Sequence, residues 1–181
     1  MIDLTNYHKT ETLKNATTVV IRAIRSDDKE RISEAFRNLE TESIYTRFFH
    51  HKKALTDQEL KSATEVDFEN VVALVVTIGA GGNETIIGGG RYMVLDDAGE
   101  QRSAEVAFTV EEDYQGQRMA GILLRHLAAI AREKGVYRFE AEVLSENKGM
   151  LAVFTRSGFP LKEEVQGGIV HVTLALTGCT K

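Results

Sequence analysis

The stretch SAEVAFTVEEDYQGQRMAGILLRHL, Ser103 to Leu127, decides the fold. It opens with an apolar strand, Ala104 to Val110, and passes through the acidic connector Glu111, Glu112 and Asp113. It then turns at Gln115-Gly116-Gln117 into a long amphipathic helix. A helix N-terminus presents unpaired backbone N–H groups and the positive end of the peptide dipoles, so a turn of small residues there can wrap a phosphate closely. Gly116, Ala120 and Gly121 are the small residues, and Arg118 adds a charge. A strand, an anion-ready loop and a helix, in that order, point to a phosphate-bearing ligand.

Downstream, the helix from Arg118 to Lys134 gathers Met119, Ile122, Leu123, His126, Leu127 and Ile130 on one face. Arg118, Arg125 and Arg132 recur on another face, and Gly135 closes the helix. His126 therefore reads as a packed histidine rather than a ligand. Tyr137 to Leu144 reads as a strand, Asn147 to Ser157 as a helix stopped by Gly158, and Leu161 to Val165 with Gly168 to Leu176 as a closing hairpin.

Upstream, Val71 to Ile78 is an almost unbroken apolar run, the pattern of a strand covered on both faces. Gly79 to Asn83 turns it back into Ile86 to Leu95. The triplet Gly88-Gly89-Gly90 inside that strand marks a bulge or a close contact, or is merely tolerated. A polar turn, Asp96 to Gly99, then leads into the central strand. Nearer the start, Thr17 to Ile24 is a β-branched strand, and Ser26-Asp27-Asp28 supplies an N-cap signal for a helix from Lys29 to Leu39. A second helical piece is expected through Tyr45 to Phe49, and the capping-box pattern Thr56-Asp57-Gln58-Glu59 announces a third. Met1 to Ala16 is polar and weakly periodic and reads as an N-terminal arm, loose or briefly helical. Residues 17–178 then make one domain. This order predicts an α/β fold, with a mixed sheet of about seven strands, helices on both faces, and a ligand crevice at the C-terminal ends of the parallel strands.

Composition narrows the function. A chain of 181 residues, 43% hydrophobic and 27% charged, is the size and character of one globular domain. A net charge of −5 argues against a general nucleic-acid binder, which needs a basic surface to release phosphate counterions. No apolar run is long enough to span a bilayer and no signal-peptide pattern opens the chain, so a cytoplasmic location is expected. The single cysteine, Cys179, forms no internal disulfide and reads as a tail thiol. Among phosphate-binding chemistries, a P-loop would need Lys-Ser/Thr after its glycines, and a dinucleotide fingerprint would need G-x-G-x-x-G after the first strand. Neither pattern occurs. His50-His51 are adjacent and do not share a helix face, and no H-x-x-x-H or C-x-x-C spacing exists, so no metal is expected.

Gln115-Gly116-Gln117-Arg118-Met119-Ala120-Gly121 resembles the acyl-CoA-binding motif of the GNAT superfamily of N-acetyltransferases, Q/R-x-x-G-x-G/A. Asn147 with Met150, Val153 and Phe154, followed by Ser157-Gly158-Phe159, is similar to the same superfamily's downstream stretch. Ile21-Arg22, Thr46-Arg47-Phe48-Phe49, Ala104 to Phe108 and Ala141 to Leu144 are similar, more narrowly, to bacterial protein lysine acetyltransferases that modify acyl-CoA synthetases. The chain departs from the motif at its first glycine, where Arg118 stands. Glycine there tolerates φ > 0, and another residue in that conformation costs about 1 kcal/mol.

The resemblance implies a GNAT fold and acetyl-CoA as cosubstrate. Backbone N–H groups of Arg118, Met119, Ala120 and Gly121 would hold the pyrophosphate. Main-chain groups along Phe108, Thr109 and Val110 would align the pantetheine arm like an added strand. Asn147 would bond the pantetheine or merely cap its own helix, and Phe154 occupies the place of a tyrosine general acid, leaving thiolate departure to solvent. Glu105 corresponds to the general base. Burial in a central strand would raise its pKa toward neutrality, whereas strand alternation alone would turn it to solvent with Thr109 and Glu111. The implied acceptor is a primary amine, a protein lysine such as one on an acyl-CoA synthetase. A small-amine enzyme and a catalytically weak acyl-CoA-sensing module are the alternatives. Either a monomer or a homodimer fits.

Overall fold

The computed structural model describes residues 1–39, 44, 52–95 and 101–176. Tyr45 to Phe49, His50-His51, the Asp96 to Gly99 turn and Cys179 lie outside them. One eight-stranded sheet organises the molecule, in the order β1-β2-β3-β4-β5-β6-β8-β7. Its strands are β1 (His8–Thr12), β2 (Thr18–Ala23), β3 (Val71–Ile78), β4 (Thr85–Val94), β5 (Arg102–Val110), β6 (Val136–Leu144), β7 (Leu161–Gln166) and β8 (Ile169–Ala175). All neighbours pair antiparallel except β5 and β6.

The parallel pair follows from the long helix between them, α3 (Met119–Glu133), which returns the chain to the starting edge. This helix buries Leu123, Leu124, Leu127, Ile130 and Ala131 on one face of the sheet. Val72, Leu74, Tyr92, Val106, Phe108, Phe139, Val172 and Leu174 oppose them in the main core. α4 (Lys148–Thr155) joins that layer through buried Phe154. On the opposite face, α1 (Lys29–Arg37) and α2 (Asp57–Thr64) cover only the first half of the sheet. A smaller core lies beneath α1, formed by Ile24, Ala73, Val75 and Ile86 with Ile32 and Ala35. The expected Thr56–Glu59 capping box opens α2, with Glu59 N–H donating to Thr56 Oγ1 at 3.1 Å and Thr56 N–H to Glu59 Oε2 at 2.8 Å.

The N-terminal segment is neither loose nor helical. His8–Thr12 pairs residue by residue with Arg22–Thr18 as an edge strand, and Leu4, Tyr7 and Leu13 enter the core. Its sequence, HKTET, conceals this because an edge strand with solvent on most of its surface needs no apolar alternation. The sheet therefore has eight strands among the described residues rather than about seven.

Candidate functional site

β5 and β6 pair from Arg102↔Val136 to Glu105↔Glu140, and there the ladder ends. β5 nevertheless runs on to Val110 and β6 to Leu144. The two strands part at Glu105, leaving one side of β5 along Val106 to Val110 open to an added strand. Beyond the parting, β5 leads through a 3-10 turn, Glu112–Tyr114, into the loop before α3. Gln115 bends back to donate from Nε2 to the Val110 carbonyl at 3.2 Å, and Lys14 N–H donates to the Gln117 carbonyl at 3.2 Å. The β1–β2 turn thus braces the loop from behind.

Gly116 has φ +76°, and Arg118, the N-cap of α3, has φ 70° and ψ 15°. The left-handed backbone expected of the motif's first glycine is present with arginine in place. The first intrahelical bond runs from Ile122 N–H to the Arg118 carbonyl at 3.0 Å, and no side chain caps the helix. The N–H groups of Met119, Ala120 and Gly121 therefore precede the intrahelical ladder. A Cβ built on Gly116 or Gly121 would meet nothing within 4 Å, so the approach to these donors is clear. Met119 and Ala120 offer only their main chain, because their side chains are buried. Arg118 carries its guanidinium outward. Gln117 Oε1 is buried with no hydrogen-bond partner among the described residues.

Other expected site residues fall elsewhere. Asn147 accepts the Met150 N–H at 3.2 Å and so caps α4, the simpler of its two readings. Phe154 is buried with its ring centroid 6.2 Å from that of Phe108, packing α4 onto β5. Phe108 also faces this core, so only its backbone borders the parting strands. Thr109 and Val110 are half-buried.

Glu105 is exposed. The burial expected for it is missing because Ala104, Val106 and Phe108 point into the core, and the alternation of the strand turns Glu105 to the other face with Ala107 and Thr109. That face borders a cavity of about 350 Å³ between the sheet and the two helices above it. Ile32, Ala35 and Phe36 of α1, Ala63 of α2, Ala73 and Val75 of β3, Gly88 to Arg91 of β4, and Ala107, Thr109 and Glu111 line it. Arg91 carries no sequence signal, because its place here depends on cross-strand pairing with Ala107, and Glu111 reads in the sequence only as part of the acidic connector. Burial, and then Asp113 and Glu112, push the Glu111 carboxyl up from its ordinary value. Glu111 stands six positions beyond Glu105, roughly 20 Å along the extended chain, so the two carboxylates lie far apart. No cluster of His, Cys, Asp and Glu suited to a metal occurs among the described residues.

An uncapped helix N-terminus beyond two parting parallel strands is the arrangement that the sequence motif implied. The profile of the acetyltransferase (GNAT) family matches residues 33–159. The chain belongs to the GNAT family of acetyltransferases. It is 27% identical over 152 residues to an acetyltransferase of Pseudomonas aeruginosa, covering 84% of this chain and 80% of that protein. It is 33% identical over 138 residues to Acetyltransferase Pat of Mycolicibacterium smegmatis, covering 76% of this chain but only 40% of Pat. The crystal structure of the GNAT domain of S. lividans PAT superposes with a TM-score of 0.84 at 34% identity, covering 93% of this chain and 96% of that domain. The GNAT fold holds throughout, with eight strands and four helices among the described residues.

Proposed function

We propose that the protein transfers an acetyl group from acetyl-CoA to a primary amine, most consistently the side chain of a protein lysine. The observation that carries this reading is the end of the β5–β6 ladder at Glu105, on the strand that leads to the uncapped N-terminus of α3. A thioester arm lying along β5 would place its pyrophosphate against the N–H groups of Arg118 to Gly121, with the Arg118 guanidinium free to pair with it. Main-chain groups of Phe108, Thr109 and Val110 would hold the arm as a short extra strand. The lysine acceptor rests on the similarity to the PAT domain and to Pat, and on the match to protein lysine acetyltransferases read from Ala104–Phe108 and Ala141–Leu144.

Glu105 sits where the strands part, on the face shared with the cavity. An attacking ammonium gives up its proton to this carboxylate through water, because the side chain is solvated. The neutral amine then forms the C–N bond, and the C–S bond breaks as the thiolate leaves. With Phe154 buried and unable to donate, the thiolate takes its proton from solvent.

The test pairs turnover with binding. Glu105→Gln lowers the rate of acetyl transfer to a lysine-bearing acyl-CoA synthetase by about 100-fold or more, the usual contribution of a general base. Calorimetric affinity for acetyl-CoA stays within about twofold of wild type, since the carboxylate touches no part of the phosphate loop. Equal turnover by the variant removes Glu105 from the mechanism. Tight binding without turnover in wild type replaces the enzyme by an acyl-CoA-sensing module.

A further inference from the structure

Arg91 stands in the middle of β4 with its side chain half-buried in the wall of the cavity. It lies directly opposite Ala107 and diagonal to Glu105 and Thr109. No hydrogen bond or ion pair engages its guanidinium among the described residues. Burial pulls Arg91 below the ordinary arginine value, and the Glu105 carboxylate acts in the opposite direction without overcoming it. Among the described residues, the other buried or half-buried arginines on this side of the sheet are answered. Arg22 is held by Asp28 and Glu84, and Arg31 reaches Asp28. A desolvated guanidinium with its five donors unused is costly, and although Gln58, Glu59, Ser62, Thr109 and Glu111 also line this mainly apolar cavity, no hydrogen bond or ion pair joins any of them to Arg91, which leaves its fork for an anionic visitor.

We propose that Arg91 reads a carboxylate presented inside the cavity, making it a specificity-determining residue for the acyl-transfer reaction proposed above. The fork of the guanidinium suits a bidentate carboxylate, and the low-dielectric walls strengthen the pairing. Two sources can bring that group to this place. One is the far end of a dicarboxylic acyl chain, reaching across Ala107 from a thioester held along β5. The other is an acidic group on the acceptor, close to the attacked amine. In both cases Glu105, diagonal to Arg91 on the neighbouring strand, stays available for the ammonium. The cavity then reads a positive and a negative group side by side.

This inference rests on the acyl-CoA site, so its test is read as binding and does not require turnover. Calorimetry in wild type and in Arg91→Met compares acetyl-CoA with succinyl-CoA. In the presence of CoA, it also compares lysine peptides carrying aspartate or alanine beside the lysine. Arg91→Lys, which keeps the charge without the fork, and a melting curve for each variant guard against misfolding. The expected result is a preference for the carboxylate-bearing member of one pair in wild type. Arg91→Met reduces that preference by roughly 10- to 100-fold, Arg91→Lys by less, and acetyl-CoA affinity is unchanged. The pair that responds identifies the source. Equal affinities within both pairs in wild type, or a preference that survives in Arg91→Met, overturns the proposal. Failure of acetyl-CoA itself to bind counts separately, against the acyl-CoA reading.

Discussion

At the scale of single residues, Arg118 is the most informative departure from the family pattern. It holds φ 70° at the entrance of α3, a region where an L side chain crowds the following carbonyl. Arg118→Gly relieves about 1 kcal/mol of that strain, while the greater freedom of glycine in the unfolded chain takes back roughly 0.4–1 kcal/mol. Its melting temperature therefore stays within a few degrees of wild type. Arg118→Val keeps the strain, adds a β-branch and melts clearly lower. If glycine and valine behave alike in thermal unfolding, the left-handed N-cap is not the constraint. The sequence made this position legible, because a motif glycine predicts the backbone angle even when another residue occupies it. It left Glu105 less legible, since central strand position and burial are separate properties, and only the face decides between them.

At the scale of elements, β4 explains the glycine triplet that the sequence left open. The β3–β4 register shifts between Val76 and Thr77, opposite Gly88 and Ile86, so the bulge is present. The glycines also answer close approaches. A Cβ on Gly90 would lie 2.8 Å from Phe108 Cδ1 and 3.1 Å from Leu127 Cδ1, where β4, β5 and α3 meet. Gly90→Ala therefore overpacks the main core and costs about 1–3 kcal/mol in urea unfolding. A neutral result would show that Phe108 and Leu127 repack freely.

Helix α3 shows the opposite limit of legibility. His126 is mostly buried, as its apolar helix face predicts, but its ring is also bonded on both sides. Nδ1 lies 2.5 Å from Tyr7 Oη and Nε2 lies 2.7 Å from Glu11, which also accepts from Arg125 at 2.8 Å. Tyr7 and Glu11 flank and form β1, more than a hundred residues away, and helical periodicity carries no information about partners at that distance. The strand missed in the sequence and the bonds missed on the helix are one omission.

At the scale of the whole molecule, the two helices above the cavity are anchored through charge as well as apolar packing. Arg22 of β2 is buried and forks onto both oxygens of Asp28, at 2.8 Å each, while its Nε reaches Glu84 at 2.6 Å. One guanidinium therefore joins the central sheet, the turn entering α1 and the β3–β4 connection. Burial works against the charged form of Asp28, yet hydrogen bonds from Arg22 and the Arg25 N–H outweigh it and hold the carboxyl below its ordinary value. A depressed folded pKa means that the stabilisation is complete above the unfolded value, about 3.9, and is lost as pH falls through the folded value. Asp28→Ala leaves Arg22 buried with only Glu84, and it costs about 3–5 kcal/mol at neutral pH. Its stability also falls less steeply than that of wild type below about pH 4. Glu84→Gln keeps a neutral acceptor for Arg22 Nε and costs less. Because Asp28 ties the entrance of α1 to Arg22 and to the Arg25 N–H, and α1 roofs the cavity, a folded Asp28→Asn variant weakens acceptor binding while acetyl-CoA affinity at the far end of β5 is preserved. Calorimetry with both ligands separates the two. Parallel losses would mean that the sheet and its helices yield as one body, and that the roof is not independently set by the Arg22 network.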